Sequence, residues 1–215
     1  ARLSRPFFVL APMADVTDAA FRQMFAKYGK PDVLWTEFVS CDGLCSPGRD
    51  VIKRDLEFKD NEHPIVAQIF GSNPDTCFKT AKLVKELGFD GVDINMGCPD
   101  RSIEKQGAGA AHIKDPARAQ EVIRAVQEGA AGIPVSVKTR VGYNKNQIDE
   151  WIPMLLEINI AALTIHARTR KEMSLVPARW EDVKRVVELA KDTDTLIIGN
   201  GDVKNMTEAR QRAEE

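Results

Sequence analysis

Short apolar runs of strand length alternate with longer amphipathic runs of helix length along most of the chain. This alternation is typical of repeated strand–helix units. The strand candidates are nearly continuous in apolar residues, which favours parallel strands that helices cover on their outer face. The predicted strands are residues 9–13, 33–39, 65–71, 91–97, 135–141, 162–168 and 196–202.

The predicted helices begin with clear capping signals. Asn73 and Asp115 each precede a proline, which combines an N-cap residue with the residue best suited to the first helical position. Thr17 or Asp18 caps an earlier helix. The side chains of that helix expected to face the core are Phe21, Met24, Phe25 and Tyr28.

Seven predicted strand–helix units without an intervening linker favour a single TIM-type (β/α)8 barrel. Such barrels have eight strands and typically about 250 residues, so one unit is missing. Residues 206–215 have the pattern of a helix that is beginning. We therefore expect an incomplete α/β barrel from a longer protein, with an open doubly wound sheet as the structural alternative.

The composition excludes several classes of protein. With 215 residues, 43% of them hydrophobic and 29% charged, the chain can bury a large core and is neither disordered nor fibrous. No run of about 18 apolar residues is present, and the first residues do not form a signal peptide. The four cysteines lack metal-ligand spacing and only three histidines accompany them, so we expect no metal site and a reducing, cytoplasmic environment.

Cys98 follows an apolar strand that ends abruptly, and the amide residue Asn95 lies close to it in the chain. Gly97 lets the backbone turn and Pro99 stiffens the exit, so the thiol is expected at the carboxyl end of a strand. That is where α/β enzymes hold their reacting groups. Most free cysteines are small buried hydrophobes, and this interpretation stays open for Cys98 taken alone.

The other predicted strands also end in polar residues. In a barrel these ends converge on one mouth, where each buried polar group needs a partner or costs about 1–3 kcal/mol. A polar ligand explains such a set better than a structural core. The strand-end residues are Pro12, Met13, Gln68, Asn95, Cys98, Lys138, Arg140, His166, Arg168, Asn200, Gly201 and Asp202.

Together these segments resemble the tRNA-dihydrouridine synthases. The resemblance is carried, in order and over nearly the whole chain, by residues 11–18, 68–71, 95–99, 107–110, 137–140, 166–170 and 199–202. It implies that residues 1–215 are an FMN-binding barrel domain, truncated at its C-terminal end. The eighth strand and the small helical domain that follows the barrel in this family are absent.

The resemblance implies an enzyme that uses FMN and NADPH (or NADH) to reduce the C5–C6 double bond of uridines in tRNA. Reduced FMN passes a hydride to C6, and Cys98 matches the residue that protonates C5. Asn95, Arg140 and Arg168 match substrate-binding positions. The FMN-binding positions are matched by Pro12, Met13, Ala14, Gln68, Lys138, His166, Asn200, Gly201 and Asp202. The expected molecule is a monomer that acts on tRNA and not at a membrane.

These residue types also suit the chemistry by themselves. Hydride arriving at C6 leaves an anion that needs an acid still protonated at neutral pH, and a thiol with a pKa of about 8.5 qualifies. Lys138 would stabilise negative charge on the pyrimidine edge of the flavin, and Gln68 can both donate to that edge and accept from it. Alternatively, Lys138 pairs with Asp93 and His166 is a satisfied core histidine.

The net charge of −2 argues against an RNA partner only if charge is spread evenly. Basic residues cluster in the predicted mouth loops, so a positive rim can coexist with an acidic underside. Solvated loop charge is the alternative for each of them. They are Arg101, Lys105, Arg140, Lys145, Arg168, Arg170 and Lys171.

Three other functions stay open. The first is an FMN barrel acting on free pyrimidines, of the dihydroorotate dehydrogenase kind, although residues 95–99 do not show its Asn-x-Ser-x-Pro-Asn pattern. The second is a Schiff-base aldolase that uses Lys138, and the third is a non-catalytic RNA-binding fragment. Ala167, His112 and the 172–177 loop depart from the family pattern, which leaves part of the tRNA contact unassigned.

Overall fold

Six parallel strands form one sheet in which the order in space follows the order in the chain. The computed structural model describes residues 6–215. An open doubly wound sheet reverses its order at a switch point, and this sheet does not, so the barrel winding predicted from the sequence is confirmed. The strands are β1 (Leu34–Ser40), β2 (Ile65–Phe70), β3 (Gly91–Met96), β4 (Val135–Arg140), β5 (Ala162–His166) and β6 (Leu196–Asn200).

Helices connect the strands and cover the outer face of the sheet. Within residues 6–215 the α-helices are α1 (Ala19–Tyr28), α2 (Cys41–Leu44), α3 (Arg49–Ile52), α4 (Pro74–Glu86), α5 (Arg101–Glu104), α6 (Pro116–Ala130), α7 (Ile148–Leu156), α8 (Trp180–Ala190) and α9 (Met206–Glu214). Short 3-10 helices span Lys53–Leu56, Asp60–Glu62 and Gly109–Lys114. None of the helices described is long and apolar enough to cross a lipid bilayer.

The first predicted strand, residues 9–13, is much shorter than expected. Val9 forms a single parallel bridge with Val33, and the Leu10 N–H donates to the Val33 carbonyl at 3.2 Å. The segment therefore lies beside the start of β1 as a barrel strand would, but it makes no extended ladder. Pro12 has no N–H to donate, which limits how far pairing can continue.

The predicted helix starts are confirmed. Asn73 and Asp115 accept hydrogen bonds from backbone N–H groups two and three residues later, at 3.0 and 3.1 Å. Asp18, and not Thr17, caps α1 in the same way at 2.7 Å. These contacts satisfy N–H groups that the helix itself leaves without partners.

The expected inward face of α1 is wrong. Met24, Phe25 and Tyr28 are exposed by 58%, 36% and 70%, whereas Arg22 is fully buried. Arg22 Nε donates to a carboxylate oxygen of buried Glu62 at 2.7 Å. The helix therefore presents a guanidinium group to the protein body, Phe21 is half-buried, and Phe25 and Tyr28 are exposed.

The apolar core lies between the sheet and the outer helices, where α4 and α6 pack against each other. Among its fully buried members are Val84, Val92, Ile123, Val137, Trp151 and Leu163. The pairing register places polar residues of adjacent strands side by side. These pairs are Gln68 with Asp93, Asp93 with Ser136, Asn95 with Lys138, Arg140 with His166, and His166 with Asn200.

Candidate active site

A cavity of about 1240 Å³ lies between residues 6–12 on one side and β6, α8 and α9 on the other. Trp35 and Trp180 contribute aromatic walls to it. Of the residues predicted to bind FMN, the following line this cavity: Pro12, Lys138, Asn200, Gly201 and Asp202. Met13, Ala14, Gln68 and His166, also predicted to bind FMN, do not line it, and neither does Cys98. The structure places Gln68, His166 and Cys98 in adjoining groups at the same end of the sheet.

Lys138 extends from β4 towards β6, where its Nζ donates to Asn200 Oδ1 at 3.1 Å. It makes no ion pair with Asp93 among the described residues. Burial lowers the pKa of Lys138 to about 8, with Asp93 opposing this change and Arg140 adding to it. A lysine with this pKa is mostly protonated at neutral pH, and its ammonium group can donate a hydrogen bond to a further acceptor.

His166 ends β5 and is held neutral. Burial lowers its pKa to about 3, and the positive charges of Lys138, Arg140 and Arg168 contribute to the same direction. Arg168 Nη1 lies 2.9 Å from His166 Nε2. Because a guanidinium can only donate, we infer that Nε2 accepts and that the ring proton is on Nδ1.

Arg168 and Asp202, which were predicted for different roles, form one unit. Arg168 Nη2 lies 2.6 Å from both Asp202 carboxylate oxygens, and this interaction lowers the pKa of Asp202. Arg168 Nε also donates to the Val176 carbonyl at 2.6 Å. The pair thus fixes the loop after β6 against the loop after β5.

Gln68 and Asn95 form a second group with the cysteine loop. Asn95 Nδ2 donates to Gln68 Oε1 at 3.1 Å, while Asn95 Oδ1 accepts from the backbone N–H groups of Gly97 and Cys98 at 3.1 and 2.9 Å. Both ends of the Asn95 amide are therefore engaged within the protein. Its position beside Cys98 was predicted, but its role as a backbone anchor was not.

Asp93 is the residue of this group that sequence reasoning missed as a site residue. It is completely buried, and burial raises its pKa to about 6 while bonds from Gln68 and Ser136 oppose the rise. A carboxylate in the middle of an otherwise apolar strand was the available signal. From the sequence, Asp93 was predicted only as an alternative partner for Lys138.

Cys98 is a free, half-buried thiol at the start of the loop after β3. Burial raises its pKa, with a backbone hydrogen bond at Asp100 and the charge of Arg140 acting in the opposite direction. The thiol is therefore protonated at neutral pH. Gly109, which has a φ of 59°, approaches the Cys98 backbone so closely that an added Cβ would lie 2.8 Å from the Cys98 carbonyl oxygen.

Arg140 connects the cysteine loop to the loop after β5. Its Nε donates to the Gly97 carbonyl at 2.8 Å, and its Nη1 donates to the carbonyls of Thr169 and Met173 at 3.1 and 2.9 Å. Burial lowers its pKa to about 10, a value at which the guanidinium keeps its charge at neutral pH. The group lies close enough to Cys98 for the two to influence each other's pKa.

The sequence from residue 9 to residue 215 matches the model of a protein family described as dihydrouridine synthase (Dus). This chain belongs to the dihydrouridine synthase family. The match includes every strand-end residue predicted from the sequence.

Curated relatives of the dihydrouridine synthase family align with almost the entire chain. "Probable tRNA-dihydrouridine synthase 2" of Bacillus subtilis (strain 168) is 45% identical over 217 residues, covering 99% of this chain and 66% of that protein. A "probable tRNA-dihydrouridine synthase" of Staphylococcus aureus (strain Mu50) is 43% identical over 218 residues, covering 99% and 65%. The chain thus spans about two thirds of the length of these relatives.

Solved structures resemble this dihydrouridine synthase family member in fold alone. Histamine dehydrogenase from Rhizobium sp. 4-9 superposes with a TM-score of 0.64 at 13% identity, over 95% of this chain and 41% of the other. Orotidine 5'-monophosphate decarboxylase from Methanocaldococcus jannaschii gives 0.53 at 18% identity, over 98% of both chains. With the six parallel strands in chain order, these likenesses identify the fold as a TIM-type barrel.

The basic rim expected of a dihydrouridine synthase is smaller than the sequence indicated. Arg168 is committed to Asp202, and Arg170 forms a two-pronged ion pair with Glu104. Arg140 is used on backbone carbonyls. The basic rim side chains that remain exposed are Arg101, Lys105, Lys145 and Lys171. Within the described residues, no cluster of His, Cys, Asp and Glu side chains could hold a metal ion.

Proposed function

We propose that the protein containing this chain is a tRNA-dihydrouridine synthase. It would use FMN and NADPH (or NADH) to reduce the C5–C6 double bond of uridines in tRNA. The observation that carries the proposal is a protonated Cys98 thiol held at the end of β3 beside buried basic groups of β4 and β5. This arrangement offers an acid next to a pocket suited to an anionic ligand.

The chemical character of the pocket fits FMN. Burial lowers the pKa of His166, and the positive charges of Lys138, Arg140 and Arg168 lower it further against the opposing charge of Asp202, which indicates that the described side chains do not fully neutralise the positive charge around His166. A phosphate or an anionic ring edge would supply the missing negative charge. The residues that would hold FMN are Pro12, Met13, Ala14, Gln68, Lys138, His166, Asn200, Gly201 and Asp202. Once bound and reduced, this cofactor supplies the hydride for C6.

Cys98 acts as the general acid in this proposal. Its raised pKa keeps the proton on sulfur at neutral pH, so the thiol can donate it to C5 as negative charge develops in the pyrimidine. Arg140 would contribute on the substrate side of the pocket, where its positive charge stabilises that developing anion. Arg168, the other predicted substrate-binding arginine, is already paired with Asp202, so its contribution would be to hold the loops around the pocket. Asn95 serves the reaction through the Cys98 backbone that it holds.

The decisive experiment uses the full-length protein with FMN, NADPH and unmodified tRNA, followed by mass spectrometry of the nucleosides. We expect a gain of two hydrogen masses at specific uridines, and a rate at least about 100-fold lower for Cys98→Ala, as is typical when a general acid is removed. Cys45→Ala is the matched control, because Cys45 is a free thiol on the exposed surface. No mass gain with bound flavin would reject the function, and equal rates for wild type and Cys98→Ala would reject the role of the thiol.

A Schiff-base aldolase is the second candidate, because the pKa of Lys138 is lowered to about 8 and such a lysine is a better nucleophile. This candidate predicts that borohydride traps a carbonyl substrate covalently on Lys138. We expect no such adduct, since Lys138 Nζ is directed to Asn200. A trapped adduct on Lys138, found by peptide mass spectrometry, would favour the aldolase.

A further inference from the structure

We propose that Asp93 sets the direction of a hydrogen-bond chain that runs through Gln68 and Asn95 and holds Cys98 in place. Asp93 is then a positioning residue and not a catalytic one. The inference deepens the proposed function, on which the role of the Cys98 thiol rests, but the hydrogen-bond chain itself can be tested without cofactor or tRNA.

The chain begins at a buried carboxylate and ends at the cysteine loop. Gln68 Nε2 donates to Asp93 Oδ2 at 2.6 Å, and Asn95 Nδ2 donates to Gln68 Oε1 at 3.1 Å. Asn95 Oδ1 then accepts from the N–H groups of Gly97 and Cys98. Asp93, Gln68 and Asn95 are all buried, so water competes little for these bonds.

The carboxylate determines which way each amide points. A carboxylate is an acceptor only, whereas a side-chain amide has one donor end and one acceptor end. Asp93 therefore requires the NH₂ group of Gln68, which leaves the Gln68 oxygen to face Asn95. Asn95 must therefore donate its own NH₂ group to that oxygen, and the Asn95 oxygen is left to accept from the backbone of the cysteine loop.

The other neighbours of Asp93 help to keep its carboxyl group ionised, so that it can only accept hydrogen bonds. Ser136 Oγ donates to Asp93 Oδ1 at 2.5 Å, and Lys138 provides a nearby positive charge. The pKa of about 6 means that the carboxyl group is mostly ionised at neutral pH. Ser136 contacts the same carboxylate as Gln68 but is not part of the path to Cys98, which makes it a useful control.

Substitutions at Asp93 should loosen the hydrogen bonds that hold Cys98 to different degrees, according to the acceptors that each variant keeps. Asp93→Leu removes every acceptor while keeping the branched shape of the side chain, so the Gln68 amide is free to turn and the loop bonds weaken. Asp93→Asn keeps one acceptor oxygen but adds a competing donor, so both directions of the chain become possible. Asp93→Asn combined with Gln68→Glu moves the acceptor-only group one residue along, and Asn95 is again required to donate.

The experiment measures the rate of Cys98 alkylation by iodoacetamide as a function of pH in the full-length protein with Cys45→Ala. Peptide mass spectrometry identifies the modified cysteine. We expect Asp93→Leu to raise the rate constant of the Cys98 thiolate about fivefold, which corresponds to about 1 kcal/mol for a lost hydrogen bond. Asp93→Asn should lie between Asp93→Leu and wild type, and the double variant and Ser136→Ala should remain within about twofold of wild type.

Two results would overturn the proposal. One is a folded Asp93→Leu protein whose Cys98 alkylates at the wild-type rate. The other is a double variant that alkylates faster than Asp93→Asn, since this would show that the acceptor position does not matter. If Asp93→Leu does not fold, the comparison of the double variant with Asp93→Asn still tests the proposal. Because alkylation needs neither FMN nor tRNA, absence of dihydrouridine formation by the wild-type protein would reject the proposed function alone.

Discussion

His166 illustrates how neighbouring charges determine the protonation of a single residue at this site. Burial and the cations Lys138, Arg140 and Arg168 lower its pKa to about 3 in the folded protein, against about 6.5 in an unfolded chain. The sequence identified the residue and its strand end. The neutral state follows from burial and from cations on β4 and in the loop after β5.

This pKa predicts how His166 contributes to acid sensitivity. Between about pH 6.5 and pH 3 the unfolded chain binds a proton at this residue and the folded protein does not, so stability falls as the pH is lowered. We expect the flavin-free wild type to lose more free energy of unfolding than His166→Asn between pH 7.5 and pH 4.5. The difference should be on the order of 1 kcal/mol after allowance for solvent screening. Urea unfolding at a series of pH values measures it, and parallel pH curves for the two proteins would contradict the assignment.

Arg22 shows a limit of prediction at the residue scale. Its guanidinium lies in the protein interior with Glu62 and also donates to the Thr17 carbonyl at 2.8 Å. The Thr17 hydroxyl in turn forms hydrogen bonds with both the N–H and the carbonyl of Met13. Met13 is one of the residues proposed to hold FMN. A hydrophobic-moment argument places the aromatic residues of α1 inside because it cannot anticipate a distant carboxylate.

At the scale of elements, the packing of α6 against α4 in the outer layer depends on one glycine. Gly129 of α6 packs against the backbone of α4, where a Cβ would overlap the Phe78 carbonyl and lie 3.1 Å from the Ala81 Cβ. In the structure Gly129 lies within α6 and permits the two helices to approach.

Gly129→Ala is therefore expected to destabilise the protein although alanine favours a helix. Overpacking typically costs about 1–3 kcal/mol, against a helix-propensity gain of about 1 kcal/mol. Thermal or urea unfolding of the variant measures the net change. Gly29→Ala is the control, since nothing lies within 4 Å of the Cβ position there. A Gly129→Ala protein as stable as wild type would mean that α4 and α6 are farther apart than described.

At the scale of the whole molecule, the parallel strands collect loops from the entire chain at one end. Lys105 follows β3, Lys145 follows β4 and Lys171 follows β5, and all three are exposed. They can therefore form one positive surface although they are far apart in sequence. The net charge of −2 does not oppose this, because the screening length in physiological salt is about 8 Å.

If the positive surface formed by Lys105, Lys145 and Lys171 binds tRNA, the affinity should depend on salt in a specific way. Replacing Lys105, Lys145 and Lys171 by alanine should weaken tRNA binding by the full-length protein and lower the slope of log affinity against log salt by about one for each lysine–phosphate pair removed. Lys82→Ala is the control, because Lys82 is exposed on α4 away from the strand ends. Filter binding at several salt concentrations gives the slopes. An unchanged slope in the triple variant would exclude these lysines from the interface.

The sequence by itself determined the order of strands and helices, the capping residues Asn73 and Asp115, and the set of residues at the strand ends, and it left Thr17 and Asp18 as alternative caps of α1. These features depend on local patterns, since the period of apolar residues and the chemistry of a cap involve neighbours a few positions apart. Tertiary structure decided which polar groups became partners. Asp93 with Gln68, and Arg168 with Asp202, come from different strands or loops, so their donors and acceptors meet only once the sheet has formed.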